Sequence, residues 1–286
     1  MVSMNRLSTK QRARIIGCLV EGNSIRATVR LTGAAKNTIV KLLLDLGIVC
    51  SDYQDRTLRN LPCERVQVDE IWSFVGCKKK NVKPEHNDDF GDAWTFVAID
   101  ADTKLVPSWL VGQRHADDAV IVLDDLRSRL ASRVQLSSDG HKMYMVAVPD
   151  TFGDDIDYAQ VVKKYGRKPA DPENHRYSPA GCVTVTLNKV SGSPDPAHIS
   201  TSYVERQNLT IRMSMRRFTR LTNGFSRKVE NLAAAVSLHF MFYNFARPHT
   251  TLSKAANHVP TTPAMAAGVA DHVWALTEIA ALLDSN

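Results

Sequence analysis

The 286-residue sequence has little with which to build crosslinks or cross a membrane. Its five cysteines (Cys18, Cys50, Cys63, Cys77 and Cys182) are odd in number, scattered and without a CxxC pair. That pattern argues against a disulfide framework and against a thiolate zinc site. No apolar run reaches the roughly 18 residues of a membrane-spanning helix, so no membrane partner is expected. Met1–Arg14 lacks the apolar stretch of a secretory signal, which makes a cytoplasmic location the expectation. Glycine (14) and proline (12) are too few for a collagen-like or low-complexity chain, and 44% hydrophobic with 23% charged residues are globular values. The length suits about two domains of ordinary size.

The charge that is present is unevenly placed. The whole chain carries +6, and residues 1–60 alone hold ten Lys/Arg against four acids. Residues 202–247 hold eight bases against two acids, so the stretch between these zones is net acidic. Two basic zones around an acidic middle fit a polyanion-binding protein whose centre holds carboxylates for metal. Chance clustering on solvated faces is the bland alternative.

Three helices are predicted at the start of the chain. Ser8 caps the first, Thr9–Glu21; Ser24 caps the second, Ile25–Leu31; Gly33 makes a tight turn before the third, Ala35–Leu46, which Gly47 stops. This is a helix-turn-helix pattern, in which the start of the last helix enters the major groove. Lys36, Asn37, Thr38 and Lys41 supply amide, hydroxyl and cationic groups there, suited to base edges and phosphates. A plain three-helix packing unit is the alternative. Residues 51–62, polar and ending in Asn60-Leu61-Pro62, read as a linker.

From Val66 the pattern changes to strands: Val66–Val75, Ala93–Asp100 and Leu105–Val111, then a helix Asp117–Ala131 and a fourth strand Val134–Ser138. Three meandering strands, a helix and a strand returning beside the first give an α/β, RNase H-like mixed sheet flanked by helices, with an all-α N-terminal domain. Asp69 falls within an apolar strand, a costly place for a carboxylate unless it is paired or binds metal. Asp139 ends the fourth strand, and Gly140 lets the backbone turn away. Glu205, in a helix predicted over Ser202–Phe218, is the best third acid. Acids from two strands and one helix suit two divalent cations. Arg212 lies two turns further along the same helix face, and Arg206, Asn208, Arg216 and Arg217 extend a basic strip for DNA. Glu70 is expected on the opposite side of its strand, in a structural role, and Asp100 and Asp102 read as turn acids. Residues 166–200, with five prolines around a strand-like Cys182–Leu187, read as an irregular insertion, and Val229–Ala246 and Asp271–Leu283 as helices.

Val68-Asp69-Glu70-Ile71-Trp72, Ser138-Asp139-Gly140 and Tyr203-Val204-Glu205-Arg206-Gln207-Asn208 resemble the three acidic motifs of bacterial insertion-sequence DDE transposases. The run Met215–Ser226 is similar to the first-type insertion-sequence group, and Tyr243–His249 with Thr262–Ala266 to a C-terminal signature of many such enzymes. The Cys-rich zinc module of that group's founding members has no counterpart here. The resemblance implies a metal-dependent transposase with Asp69, Asp139 and Glu205 as its triad, and two Mg²⁺ or Mn²⁺ ions as cofactors. It implies double-stranded DNA (element ends and target) as partner, a homodimer or higher oligomer, and a bacterial, nucleoid-associated location. The expected division is residues 1–50 for DNA binding, 63–250 for catalysis and 251–286 as a helical tail. Two rivals remain: a DNA-binding regulator with a degenerate catalytic domain, and an RNase H-like nuclease or resolvase that cuts without joining.

Overall fold

A sequence with strands gathered between residues 65 and 191 and helices before and after them must cover its sheet with those helices. A computed structural model describes residues 7–166, 181–219 and 224–284. Six strands form one sheet: β1 (Arg65–Val75), β2 (Gly91–Asp100), β3 (Ser108–Gly112), β4 (Gln135–Asp139), β5 (Asp157–Tyr165) and β6 (Cys182–Ser191). Their order is β3-β2-β1-β4-β5-β6. β1, β2 and β3 meander antiparallel, while β4 lies parallel to β1 and β5 parallel to β4. This is the expected α/β, RNase H-like mixed sheet. The parallel step from β3 to β4 is made by helix α4 (Ala116–Arg129), where Ala119, Val122, Leu123 and Leu126 are buried.

Before the sheet come α1 (Thr9–Val20), α2 (Ile25–Thr32) and α3 (Lys36–Thr57). Ser8 and Gln11 form a reciprocal cap on α1, and the Ser24 hydroxyl accepts from the Ala27 amide at the start of α2. Gly33 takes the left-handed conformation (φ 73°) between α2 and α3, as a tight turn requires.

Gly47 does not stop α3. The helix runs ten residues further, to Thr57, into the segment 51–62 expected to be a linker. A Cβ at position 47 would lie 2.5 Å from the Cβ of Ala234 in α7 (Val229–Met241), so this glycine exists for close helix contact. The Ser237 hydroxyl donates to the Gly47 carbonyl at 2.8 Å across the same seam. The polar residues that suggested a linker are helix-surface residues or partners of Arg129. That guanidinium, 6% exposed, pairs with Asp55 and Asp125 and donates to the Leu58 carbonyl. Leu58 and Leu61 are fully buried.

Apolar side chains of α1, α3, α7 and the sheet form one continuous core. Asn244 joins them with polar bonds: it brackets the amide and carbonyl of Val106 and donates to Gln54 of α3.

Several other boundaries differ from expectation. Within the insertion expected over 166–200, the strand-like Cys182–Leu187 belongs to β6, which pairs antiparallel with β5, and residues 192–200 are irregular apart from a short 3₁₀ turn; the prolines at 169, 172 and 179 lie outside the described residues. Strand β5 and helix α5 (Lys142–Phe152) carried no clear signal in the sequence. The helix expected over 202–218 ends as α6 at Ser214, followed by a short 3₁₀ turn. The helix expected over 229–246 becomes a π-helical turn after Met241. In place of one closing helix, the C-terminal segment holds α8 (Thr250–Ala255), α9 (Pro263–Ala266) and α10 (Leu276–Ala281). All five cysteines are free. Among the described residues, no helix is long and apolar enough to cross a membrane.

Candidate active site

The β1–β4 pairing runs from Arg65↔Gln135 to Val68↔Ser138, so Asp69 and Asp139 are the next residues along two adjacent parallel strands. Neighbouring strands lie about 4.8 Å apart, and β4 ends at Asp139, leaving the edge of β1 open beyond it. Carboxylate oxygens of Asp69, Glu70 and Asp139 gather in this notch, all within 4.8 Å of one another. The spacing of the two aspartates is therefore a product of strand register.

Each acid is held by a different element. Asp69 accepts from the Asn208 side chain of α6 at 2.8 Å. Asp139 accepts from the backbone amide of His141 at 2.9 Å, while the His141 imidazole accepts from the Met143 amide at the start of α5. Gly140 follows with no positive φ; its lack of a side chain instead leaves room for Val162, which a Cβ would approach to 2.9 Å.

Glu70 was expected to lie apart from this chemistry. As strand alternation requires, its contacts differ from those of Asp69, yet its carboxylate reaches the same notch. Arg114 donates to it at 2.6 Å and pairs with it, and the Tyr144 hydroxyl of α5 donates at 3.0 Å. Arg114 in turn stacks on the Trp94 ring, 4.4 Å from its centroid. Neither Arg114 nor Tyr144 stood out in the sequence. Strand alternation implied a separate side for Glu70, and a signal for Tyr144 would have required placing α5.

Glu205 is not one of the grouped carboxylates. It sits in the first turn of α6, 45% exposed, where its carboxylate pairs with Lys163 of β5 and accepts from the Thr201 hydroxyl at 2.6 Å. Gln67 of β1 fixes this end of the helix by accepting from the backbone amides of Tyr203 (2.8 Å) and Val204 (3.1 Å). A buried glutamine in a strand thus satisfies two donors that a helix start leaves open.

Burial first, then the neighbouring charges of Glu70, Asp139 and Glu205, push Asp69 up to about 7. Glu70 is also raised, by burial and Asp139, against the opposing pull of Arg114. Tyr144 is pushed well up by burial and by all three acids, which keeps its proton in place as a donor. Three crowded carboxylates with one adjacent guanidinium leave an excess of negative charge. All-oxygen donors at this spacing suit a hard divalent cation.

The residues expected on DNA fall into several environments. Lys36, Asn37 and Thr38 are exposed at the start of α3. Lys41 is exposed too, but pairs with Asp45 at 2.6 Å. Arg206 and Arg216 are exposed and Arg212 is half-buried. Asn208 is buried and bonded to Asp69, so its amide serves the acid cluster rather than an outer surface. Arg217 also turns inward: its guanidinium donates to the Ser226 hydroxyl at 2.8 Å, and burial lowers its pKa to about 10. Asp100 accepts from the Thr103 amide and hydroxyl and Asp102 pairs with Arg65, as turn acids would.

No protein-family model matches the chain, and no curated protein sequence matches it. Among solved structures it is similar to the piggyBac transposase in a synaptic complex with hairpin DNA, at 10% identity and a TM-score of 0.43, covering 99% of this chain and 73% of that one. It is also similar to a chain of the simian T-cell lymphotropic virus intasome bound to PP2A regulatory subunit B56 gamma, at 15% identity and TM-score 0.38, covering 88% and 72%. A third similarity is to the Mos1 mariner paired-end complex with Mn, at 15% identity and TM-score 0.23, covering 53% and 59%. These are distant likenesses, and the description of the fold rests on its own strand order.

Proposed function

We propose that this protein is a DDE-type DNA transposase of the bacterial insertion-sequence kind, cleaving and joining DNA strands in a metal-dependent reaction. The observation that carries this reading is the pair Asp69 and Asp139, side by side where β4 ends in an RNase H-like strand order. Asp69, Asp139 and Glu205 form the triad and would hold two Mg²⁺ or Mn²⁺ ions. Such ions would supply Lewis-acid activation of a water or a 3′ hydroxyl for attack on phosphorus and charge stabilisation at the leaving oxygen.

The chain's own groups prepare that site. Asn208 orients Asp69, and the His141 amide orients Asp139. Arg114 and Tyr144 occupy the oxygens of Glu70, leaving it to buffer the charge of the notch. Glu205 lies on the helix that carries Asn208, and it would complete the triad by exchanging its pair with Lys163 for the metal. A second reading has a specific observation behind it: Glu70, already grouped with the two aspartates, is itself the third acid.

Residues 1–50 bind the element ends, with Lys36, Asn37, Thr38 and Lys41 at the start of α3 facing the DNA; residues 63–250 carry the chemistry. Arg212 and Arg216 flank the strand being cut, and Arg206 meets DNA elsewhere along α6. Two ends must be brought together, which requires a homodimer or a higher oligomer.

The test uses precut DNA ends with free 3′ hydroxyls and Mn²⁺. Transfer of those ends to target DNA supports the transposase. Cutting without joining supports a nuclease, and DNA binding with no metal response supports a regulator. Glu205→Gln and Glu70→Gln then separate the third-acid readings: loss of joining in the first, with a folded protein, supports Glu205.

A further inference from the structure

On a different face of α6 from Asn208, a cavity of about 320 Å³ has walls of opposite character to the notch. Lys104, Arg206, Arg247 and His249 line it, and no carboxylate does. Among the described residues, none of the cations Lys104, Arg206 and Arg247 has an ion-pair partner. Tyr203, Arg206 and Gln207 reach the cavity from one face of the helix, at the three- and four-residue spacing that brings side chains together.

The cationic wall is built into the fold. Lys104 is only 7% exposed and sits at a positive φ of 62°, a backbone conformation that costs a lysine energy. Its ammonium lies over the Tyr203 ring, 3.4 Å from the centroid, and the Tyr243 hydroxyl donates to its carbonyl at 3.1 Å. Arg247 is steadied by a bond to the Ser214 hydroxyl at 3.2 Å. Gln207 is 2% exposed, and its side-chain nitrogen has no hydrogen-bond partner. The His249 Nδ1 is likewise buried and unbonded. A buried donor left unpaired costs free energy that an acceptor-rich ligand returns.

We propose that this cavity binds a phosphate group of a DNA backbone, at a second anchoring point separate from the carboxylate notch. Phosphate offers several acceptor oxygens and a full negative charge, the complement of three cations and a spare amide donor. The volume accommodates a phosphate with part of its sugar, but not a base pair. The inference rests on the DNA-binding part of the function proposed above, and is independent of the metal chemistry.

The experiment measures binding of the full chain to labelled duplex DNA in EDTA across a salt series, for the parent, Arg206→Gln, Arg247→Gln and the double variant. Each lost phosphate contact should lower the slope of log affinity against log salt by about 0.9, with affinity falling several-fold in the double variant. A thermal shift with inorganic phosphate against equal ionic strength of chloride should stabilise the parent and not the double variant, and DNA should suppress that shift. An unchanged salt slope in the double variant overturns the proposal. A phosphate shift that DNA leaves intact overturns DNA as the source. A parent that binds DNA with the expected slope but never cleaves it removes the transposase reading and leaves this cavity standing.

Discussion

The acidic notch and the basic cavity touch the same helix and are built in opposite ways. In the notch, like charges are crowded by strand register, and burial raises the cost of keeping them ionised. In the cavity, cations are gathered without carboxylates, and donors are left without acceptors. The notch holds three carboxylates against one guanidinium, and the cavity holds cations with no carboxylate. A divalent cation and a nucleic-acid backbone are the partners proposed for them, and α6 is the element that relates the two.

The largest effect that separates the two regions comes from Asp139→Asn. Metal-dependent strand cleavage should fall by about 10³-fold or more, the scale of losing a group that acts on the transition state, while DNA binding in EDTA stays at the parent level. A matched loss of DNA binding would show that the notch and the cavity are not separable.

Next in size is Glu70→Gln, which sets an amide NH2 against one of the two donors, Arg114 and Tyr144, that hold the carboxylate oxygens. Urea denaturation should show a loss of about 2–3 kcal/mol. Glu205→Gln removes an exposed ion pair with Lys163 and should cost less than about 1 kcal/mol. Equal stability losses would contradict the different burial of the two acids.

A third comparison sets the notch against the seam between α3 and α7. Gly47→Val places a side chain where even a single carbon meets Ala234. Overpacking there should destabilise the fold by about 2–3 kcal/mol, read in the same denaturation experiment. Its effect on Mn²⁺ affinity per folded molecule should be nil.

The smallest effect is the pH dependence of the notch. Asp69 is held near 7 against an ordinary value of 3.8. A carboxyl raised in this way costs the folded state nothing at low pH. Its penalty grows as pH rises through that window and is complete above about 7. Asp69→Asn should therefore raise the melting temperature at pH 8 by roughly 2–4 °C per kcal/mol relieved, with no gain at pH 4. Mn²⁺ should stabilise the parent more at pH 8 than at pH 5.

The two regions also differ in how far they can be read from residues alone. Asp69 and Asp139 were visible because an aspartate inside an apolar strand and another at a strand end are local patterns, and the meander-helix-strand order then places them together. Glu70 was misplaced because alternation describes where a side chain leaves the backbone. It does not describe where a longer side chain ends at an open strand edge. Gly47 was read as a helix stop because its role depends on Ala234, 187 residues away. The Asp52–Asp55 stretch resembled a linker for a related reason: part of its polarity answers Arg129 on another helix. The basic cavity was invisible as a unit, since Lys104, Arg206 and Arg247 come from three separate segments that only the fold brings to one place.

The most direct measurement is a Mn²⁺ titration of the full chain followed by electron paramagnetic resonance, comparing the parent with Asp69→Asn, Asp139→Asn and Lys104→Gln. Saturable binding is expected in the parent, with its loss in both aspartate variants and parent-like binding in the lysine variant. Undiminished binding in the two aspartate variants would mean that the grouped carboxylates do not hold the metal, and the proposed chemistry would have no site.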